Sequence, residues 1–280
     1  MSLNNYQITF NGINIGAGTN YVIQKIEGLG GTSPLRIQDD NRGYLDGSYS
    51  GRDFYDERTV YIDVLVVGDN SSTAQANYKK LQFAFAPQAL GLYVDPTNNT
   101  PTANQLKLFQ FRLTGDTGDK RMYGRSRGLL TPVDPDFSYG YIVTRIQMTF
   151  PDPRYYDDTA TTDTGPTVTV ANSGWAISCP VISIASLSAT SGEITNGTLG
   201  STTDGAIHMY FANMISGHEL KVDLLQRVIY YDGVAARNYM TAASNGWLQI
   251  DPAIDLTTPS SASWKSNIGS MSVTYRNAYV

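Results

Sequence analysis

Histidine and cysteine, two side chains that often bind metals or take part in nucleophilic catalysis, are rare in this 280-residue sequence. It contains two histidines, His208 and His218, and a single cysteine, Cys179. Two metal ligands on one β-strand normally stand at positions i and i+2, whereas these histidines are ten residues apart and no acidic ligand motif accompanies them. Cys179 lies in an apolar run beside Pro180, and no G-x-S-x-G motif surrounds a serine. We therefore predict no metal, no cofactor and no nucleophilic catalysis, and we interpret both histidines as solvent-facing or structural.

Two polar stretches have some features of ligand-binding loops. The run DDNRGYLDG (39–47) is similar to an acidic calcium loop, but it lacks the regular alternation of oxygen ligands and the closing glutamate. The glycines at 28, 30 and 31 suggest a phosphate loop, but no Lys-Ser or Lys-Thr pair and no helical pattern follows them. A carboxylate pair for glycoside hydrolysis is defined in space, so the sequence leaves that alternative open. The sequence favours a protein that is not an enzyme.

The three tryptophans, Trp175, Trp247 and Trp264, all lie in the C-terminal part of the chain. Exposed aromatic side chains bind sugars by stacking on them, whereas a tryptophan within a group of strands more often packs in a core. We favour core packing and keep these residues as candidate aromatic sites for a glycan.

Arginine, tyrosine and acidic residues are concentrated in and before the stretch DGSYSGRDFYDERTVYIDVLVVG (46–68), where a polar loop leads into a long strand. The residues that we single out are Arg36, Tyr44, Asp46, Tyr49, Arg52, Tyr55, Glu57 and Arg58. An active site, a nucleic-acid contact and an assembly surface each use such side chains, and interfaces are enriched in Tyr and Arg. The pattern alone fits a solvated loop equally well. For Arg58, which follows Asp53, Asp56 and Glu57, we predict an ion pair with a carboxylate at or near a subunit contact.

The composition excludes several classes of protein. The formal net charge is −5, and a general nucleic-acid binder is disfavoured because affinity for phosphate rests on clustered Lys and Arg. No apolar run approaches the length of a membrane-spanning helix, and the N-terminus MSLNNYQITF lacks a basic region followed by an apolar one. We expect a soluble chain made in the cytoplasm. Abundant Tyr, Gly, Thr, Ser and Asn favour short strands and turns.

Periodicity predicts a mainly β protein with one helix. The apolar residues of the strand that Arg58 precedes, from Val60 to Val66, alternate with polar ones. Helical spacing then predicts a helix over 73–86, capped by Ser72 with Gln75 and ended by Pro87. The polar segment 115–128 is predicted to be a hairpin tip or an extended arm.

The stretch PDPRYYDDTATTDTGP (151–166) divides the sequence, because its prolines, aspartates and threonines have no apolar periodicity. We predict a domain over 1–157, a linker over 158–166 and a second domain over 167–280. Short strands, tight turns and a hairpin at Asp232-Gly233 indicate a β-sandwich or jelly roll in the second domain.

The residues of 22–68 resemble the N-terminal region of the distal tail proteins of phages with long non-contractile tails. The matching positions are Gly28-Leu29, Pro34, Arg36, Asp46-Gly47 and Arg58. The stretches ANYKKLQFAFAP (76–87), FPDPRYYD (150–157) and SWKSNIGSMSVTYRNAYV (263–280) are also similar to that family. Extra glycines in GLGGTSP (28–34) depart from the family pattern before its proline.

The resemblance implies a virion protein at the tail tip. It implies a homohexameric ring formed by a β-barrel or sandwich-like first domain, between the tail tube protein and the hub or tip, with DNA passing through the lumen without specific binding. The second domain would be a galectin-like β-sandwich that serves as a platform for receptor-binding proteins. Two alternatives remain at this point, a tail-tube or other ring-forming injection subunit and a cell-surface or tail-associated glycan-binding module. No ordered galectin-type sugar motif is present in the second domain.

Overall fold

The computed structural model describes residues 2–31, 33–41, 48–49, 51, 54–87, 106–131, 139–201, 203–255 and 257–280. The chain divides into two compact units, unit 1 (Met1–Asp158 with Val280) and unit 2 (Thr159–Tyr279). The described residues form many β-strands and one α-helix, which confirms the predicted fold class. Within these ranges no helical segment has the length and apolar character needed to cross a membrane.

Unit 1 is built on an antiparallel sheet. The strands up to residue 158 are β1 (Gln7–Phe10), β2 (Ile13–Gly16), β3 (Tyr21–Glu27), β4 (Leu35–Arg36), β5 (Asp40–Asn41), β6 (Ser48–Tyr49), β7 (Phe54–Tyr55), β8 (Arg58–Val67), β9 (Lys107–Arg112), β10 (Lys120–Leu130), β11 (Tyr141–Phe150) and β12 (Tyr155–Asp157). The sheet order is β2-β1-β9-β10-β11-β8-β3, and β12 pairs with β10. Two separate pairs, β4 with β7 and β5 with β6, lie between β3 and β8 in the chain.

Strand β8 shows how the predicted alternation builds the core of unit 1. Val60, Ile62, Val64 and Val66 are fully buried, whereas the residues between them are only half-buried. The strand pairs with β11 on one side and with β3 on the other. Its buried face joins a cluster that includes Phe109, Phe111, Met122, Ile146 and Phe150. Burying a side chain of this size stabilises the fold by about 1.5–3 kcal/mol.

Helix α1 spans Ser71–Ala84, close to the predicted bounds. The predicted capping box at Ser72 was wrong. Asn70 caps the helix in an extended conformation, and its Oδ1 accepts a hydrogen bond from the Thr73 backbone N–H at 2.9 Å. Asparagine is as good a cap as serine, so the helix begins earlier than the predicted cap allowed. The buried side of the helix consists of Ala74, Asn77, Leu81 and Ala84, and it packs against β8 and β11.

Of the two alternatives predicted for segment 115–128, the extended arm is wrong, and residues 115–119 lie in the connection between the antiparallel strands β9 and β10. Most of the segment belongs to β10, which pairs with β9, β11 and β12 and shifts register between Ser126 and Gly128. The basic side chains of β10 hide this strand in the sequence pattern. In the structure Lys120 forms an ion pair with Asp157 at 2.5 Å, and Arg121 forms one with Asp158. Such ion pairs provide partners for the charged side chains within the sheet.

Unit 2 is a β-sandwich. Its strands are β13 (Thr161–Gly165), β14 (Thr167–Asn172), β15 (Val181–Ile184), β16 (Gly192–Thr195), β17 (His208–Phe211), β18 (Leu220–Asp223), β19 (Val228–Tyr231), β20 (Val234–Ala235), β21 (Ser260–Ser266), β22 (Met271–Tyr275) and β23 (Ala278–Tyr279). One sheet has the order β13-β22-β15-β18-β19-β20 and the other β14-β21-β16-β17. A separate apolar cluster lies within this unit. The predicted hairpin turn connects β19 to β20, with positive φ at Asp232 (48°) and Gly233 (77°).

The predicted linker contains regular structure. Residues 161–165 form β13, which pairs along its whole length with β22. Thr162 Oγ1 lies 3.0 Å from Thr274 Oγ1, and the Tyr275 hydroxyl donates a hydrogen bond to Asp163 at 3.1 Å. The threonine-rich stretch has no apolar periodicity, so its sequence pattern predicts a linker and does not indicate the strand. An edge strand needs only backbone partners and β-branched side chains, and threonine suits it well.

Candidate assembly surface

Strands β4 to β7 form a candidate assembly surface that we call the arm, with its base at residues 33 and 57. Leu35 pairs with Tyr55 and Arg36 with Phe54, and farther out Asp40 pairs with Tyr49 and Asn41 with Ser48. The Asp56 backbone N–H donates to the Pro34 carbonyl at 2.8 Å and closes the inner end of the arm. These two pairs show that the described parts of this polar segment run antiparallel to each other.

Apolar side chains of the arm are exposed. Ile37 is 67% exposed, and Leu35, Phe54 and Tyr55 are each between 41% and 52% exposed. The Arg36 guanidinium lies 5.6 Å from the centre of the Phe54 ring, a cation–π contact that holds both side chains in place. An exposed apolar patch with a polar rim is typical of an interaction site.

The residues that were predicted to form a subunit contact differ in burial and in the element that contains them. Arg36, Tyr55 and Glu57 are exposed on the arm, and Tyr49 lies in β6. Tyr44, Asp46 and Arg52 lie outside the described residues. Sequence reasoning missed Leu35 and Ile37, although their apolar side chains in a polar loop were a usable signal.

Among the predicted residues whose burial the structure describes, Arg58 is the exception, because it is only 1% exposed. Its Nε donates to the Pro153 carbonyl at 2.9 Å. Its Nη1 contacts the carbonyl oxygens of Gly28 (2.8 Å), Leu29 (3.1 Å) and Gly31 (2.8 Å). The predicted ion pair with a carboxylate was wrong, since in the described structure these contacts are all to backbone oxygens. Asp56 and Glu57 are close in sequence but exposed.

The environment of Arg58 explains its role. Burial lowers the pKa of its guanidinium, and the Tyr155 ring lies 5.9 Å from Cζ. Several carbonyl dipoles together stabilise a buried cation when no carboxylate is near, and charge-assisted hydrogen bonds are the strongest of their kind. Arg58 thus fixes loop 28–31, which leads into the arm, to the first residue of β8. It is a positioning residue for the arm.

A second polar cluster lies in unit 2 around His208, which is buried. Its Nδ1 lies 2.8 Å from Glu193 Oε2 and its Nε2 lies 2.9 Å from Asp204 Oδ1. The Tyr210 ring stacks on the imidazole with a centroid separation of 5.7 Å. Glu193 is also buried and accepts a hydrogen bond from the Gly200 backbone N–H. His208 is therefore structural and connects β16 and β17 to the loop that contains Asp204.

The electrostatics of this cluster follow from its contacts. Burial lowers the pKa of His208, but its hydrogen bonds to the carboxylates of Asp204 and Glu193 outweigh burial and raise the pKa above its usual value. The Thr198 backbone N–H and the His208 ring lower the pKa of Asp204 to about 2. Within the described ranges no group of three or more His, Cys, Asp or Glu side chains has the geometry to hold a metal ion. His218 is more exposed and lies 2.5 Å from Asp232 Oδ2.

The tryptophans differ in environment. Trp264 on β21 is fully buried in the core of unit 2. Trp247 is half-buried, with the Arg237 guanidinium 5.9 Å from its ring centre. Trp175 is 52% exposed and packs edge-on against Tyr279, with ring centres 4.8 Å apart. Of the three, only Trp175 presents substantial aromatic surface to solvent.

Comparison with solved structures identifies the fold. The chain superimposes on the crystal structure of the SPP1 Dit (gp 19.1) protein with a TM-score of 0.69 and 14% identity, over 99% of this chain and 100% of the other. That structure is described as a paradigm of the hub adsorption apparatus in phages that infect Gram-positive hosts. The chain has the fold of a phage distal tail protein.

A second solved structure that matches is part of a phage baseplate. A chain of the phage P2 baseplate in its activated conformation with Ca matches with a TM-score of 0.51 and 8% identity, over 97% of both chains. The sequence itself matches no protein-family model and no curated protein. The distal tail fold is thus recognised from tertiary structure and covers both units.

Proposed function

We propose that this protein is a structural component of a phage tail tip, where copies of unit 1 form a ring between the tail tube protein and the hub or tip. The observation that supports this most directly is the likeness to SPP1 Dit over 99% of the chain, which includes both units. The exposed apolar arm supplies a contact surface, and a ring is made from heterologous contacts between different faces of neighbouring copies. The expected symmetry is hexameric.

The remaining parts of the proposal follow from this location. DNA passes through the lumen without specific binding, which agrees with a net charge of −5. Unit 2 serves as a platform for receptor-binding proteins. The protein acts as a scaffold in the virion and not as an enzyme, in line with the hub proteins that share its fold.

The test is the oligomeric state of the purified full-length chain, measured by light scattering and electron microscopy across a range of concentrations. We expect ring-shaped particles. The double variant Leu35→Ser/Tyr55→Ser removes one cross-strand apolar pair of the arm. It should leave the subunit folded, because exposed substitutions change stability by less than about 0.5 kcal/mol, and it should weaken assembly.

The matched control is Val234→Ser/Ile254→Ser, which removes two exposed apolar side chains from unit 2. It should assemble like the wild type. Equal loss of assembly in both double variants would show that general surface apolarity, and not the arm, drives association.

Glycan binding by unit 2 is a second candidate function, and the exposed ring of Trp175 favours it. Aromatic faces stack on the apolar faces of sugar rings. Binding of host cell-wall glycans to the wild-type chain, lost in Trp175→Ala and retained in Trp247→Ala, supports this candidate. No binding by the wild-type chain rejects it.

A further inference from the structure

A groove crosses one side of unit 1 between α1 and the turn that joins β1 to β2. It has a volume of about 670 Å³. Its floor is held in place by hydrogen bonds, since the Tyr21 hydroxyl donates to the Asn77 carbonyl at 3.1 Å and the Asn11 side-chain amide donates to the Ala84 carbonyl at 3.2 Å. We call it the α1 groove. These contacts make the groove a preformed feature of the fold.

The α1 groove combines positive charge with an uncovered aromatic ring. Among the described residues, its charged lining residues are Lys79 and Lys80, and none of its lining residues is acidic. Both lysines are exposed, and among the described residues neither forms an ion pair. Phe83, one helical turn farther along, is 84% exposed. In a chain of net charge −5, this surface is suited to an acidic partner with apolar side chains.

The base of the arm has the complementary chemistry. Asp56 and Glu57 are exposed there, and neither forms an ion pair within the described part of the chain. Residues 33–57 contain six acidic side chains against three arginines, whereas the charges in α1 are two lysines. The exposed apolar residues Leu35 and Ile37 lie on the same arm.

We propose that the α1 groove of one copy receives the arm base of the next copy. Asp56 and Glu57 face Lys79 and Lys80, and the apolar arm residues cover Phe83. Donor and acceptor surfaces are different segments of the same unit, so the contact is heterologous and can repeat around a ring. This inference rests on the proposed ring and names the surface that completes its contact.

Charge reversal tests the pairing directly. In Lys79→Glu/Lys80→Glu the groove repels the acidic arm, and in Asp56→Lys/Glu57→Lys the arm repels the basic groove. Each variant alone should dissociate, with an apparent dissociation constant raised by about tenfold or more, because like charges placed opposite each other are strongly unfavourable. An equimolar mixture should assemble again, since each reversed surface then meets a complementary one on the other variant. Sedimentation velocity measures all three samples.

Controls separate this inference from the ring proposal. Lys221→Glu/Lys265→Glu makes the same charge change in unit 2 and should assemble like the wild type, and circular dichroism verifies that each variant is folded. Phe83→Ser should also weaken assembly. If the wild type assembles but groove reversal has no effect, or if the folded mixture fails to assemble, the groove is not the partner of the arm. A wild-type chain that stays monomeric at every concentration contradicts both the ring and this contact.

Discussion

Arg58 stabilises unit 1 through backbone carbonyls. A guanidinium has five N–H donors in a rigid plane, which suits it to several acceptors at once, whereas lysine is a compact charge on a flexible stem. Here the acceptors come from loop 28–31 and from Pro153, which are distant in sequence. Removing the side chain takes this donor away from all four carbonyl groups, including those of the buried residues Leu29 and Pro153.

Arg58→Ala should therefore lower the free energy of unfolding of unit 1 by about 2–4 kcal/mol, and Arg58→Lys should recover only part of it. Urea denaturation followed by circular dichroism measures the change. All three tryptophans lie in unit 2, so their fluorescence transition should stay constant and serves as an internal reference. Arg127→Ala, at an exposed arginine of β10, is the control and should change stability by less than about 0.5 kcal/mol. Equal stability of Arg58→Ala and Arg127→Ala would contradict this role.

His208 makes the stability of unit 2 depend on pH. Its pKa is raised in the folded state, so its contribution is complete below its usual value of 6.5 and is lost as pH rises through the folded pKa. The pKa of Asp204 is lowered from 3.8 to about 2, so its contribution is present above 3.8 and is lost as pH falls toward 2. The cluster therefore stabilises the fold most between about pH 3.8 and pH 6.5, the usual pKa values of Asp204 and His208.

The variant His208→Gln keeps hydrogen-bonding capacity but does not titrate. We expect the melting temperature of the wild type to exceed that of the variant most between about pH 4 and pH 6.5, with the difference narrowing on either side. Calorimetry over a pH series measures it. A difference that is independent of pH would show that His208 acts through packing alone.

At the scale of elements, loop 28–31 connects β3 to the arm under tight steric limits. Gly28 has φ of 82°, in the left-handed region. A Cβ added there would lie well inside van der Waals distance of the Thr59 carbonyl oxygen, whereas a Cβ on Gly30 would meet no atom within 4 Å. The loop therefore packs closely against β8 at Gly28, whereas the space around Gly30 is open.

The matched pair Gly28→Ala and Gly30→Ala tests this difference. We expect Gly28→Ala to destabilise unit 1 by about 2–4 kcal/mol, because it adds left-handed backbone strain to a backbone clash. Gly30→Ala should be close to neutral. Thermal unfolding of both variants gives the comparison, and equal melting temperatures would contradict the close approach of the loop to β8.

At the scale of the whole molecule, each unit has its own apolar cluster, and the chain passes from one unit to the other at residues 158 and 159. A unit of this size buries enough apolar surface to fold by itself. Because β13 belongs to unit 2, a truncation that begins at 167 removes a strand of its larger sheet.

We expect the fragment 1–158 to form rings and the fragment 159–280 to be a folded monomer. The fragment 167–280 should unfold at lower temperature than 159–280, because β22 loses its partner β13. Light scattering and calorimetry at matched concentrations test all three fragments. An oligomeric 159–280, or a monomeric 1–158 beside a ring-forming full-length chain, would place the ring contact outside unit 1.

The sequence alone determined those features that depend on local periodicity and turn chemistry. The alternation of Val60 to Val66, the helix before Pro87 and the Asp232-Gly233 hairpin follow from side-chain spacing and from backbone conformations that few residues adopt. The resemblance in residues 22–68 pointed to the distal tail fold.

Tertiary structure decided what depends on partners that are distant in the chain. Arg58 follows three acidic residues, yet its acceptors are carbonyl oxygens about 30 and 95 positions away, so no local pattern revealed its burial. The strand character of β13 depends on its pairing with β22, and the structural role of His208 depends on its contacts with Glu193 and Asp204. Hydrogen bonds and ion pairs form between groups that the fold brings together, and sequence spacing does not encode that proximity.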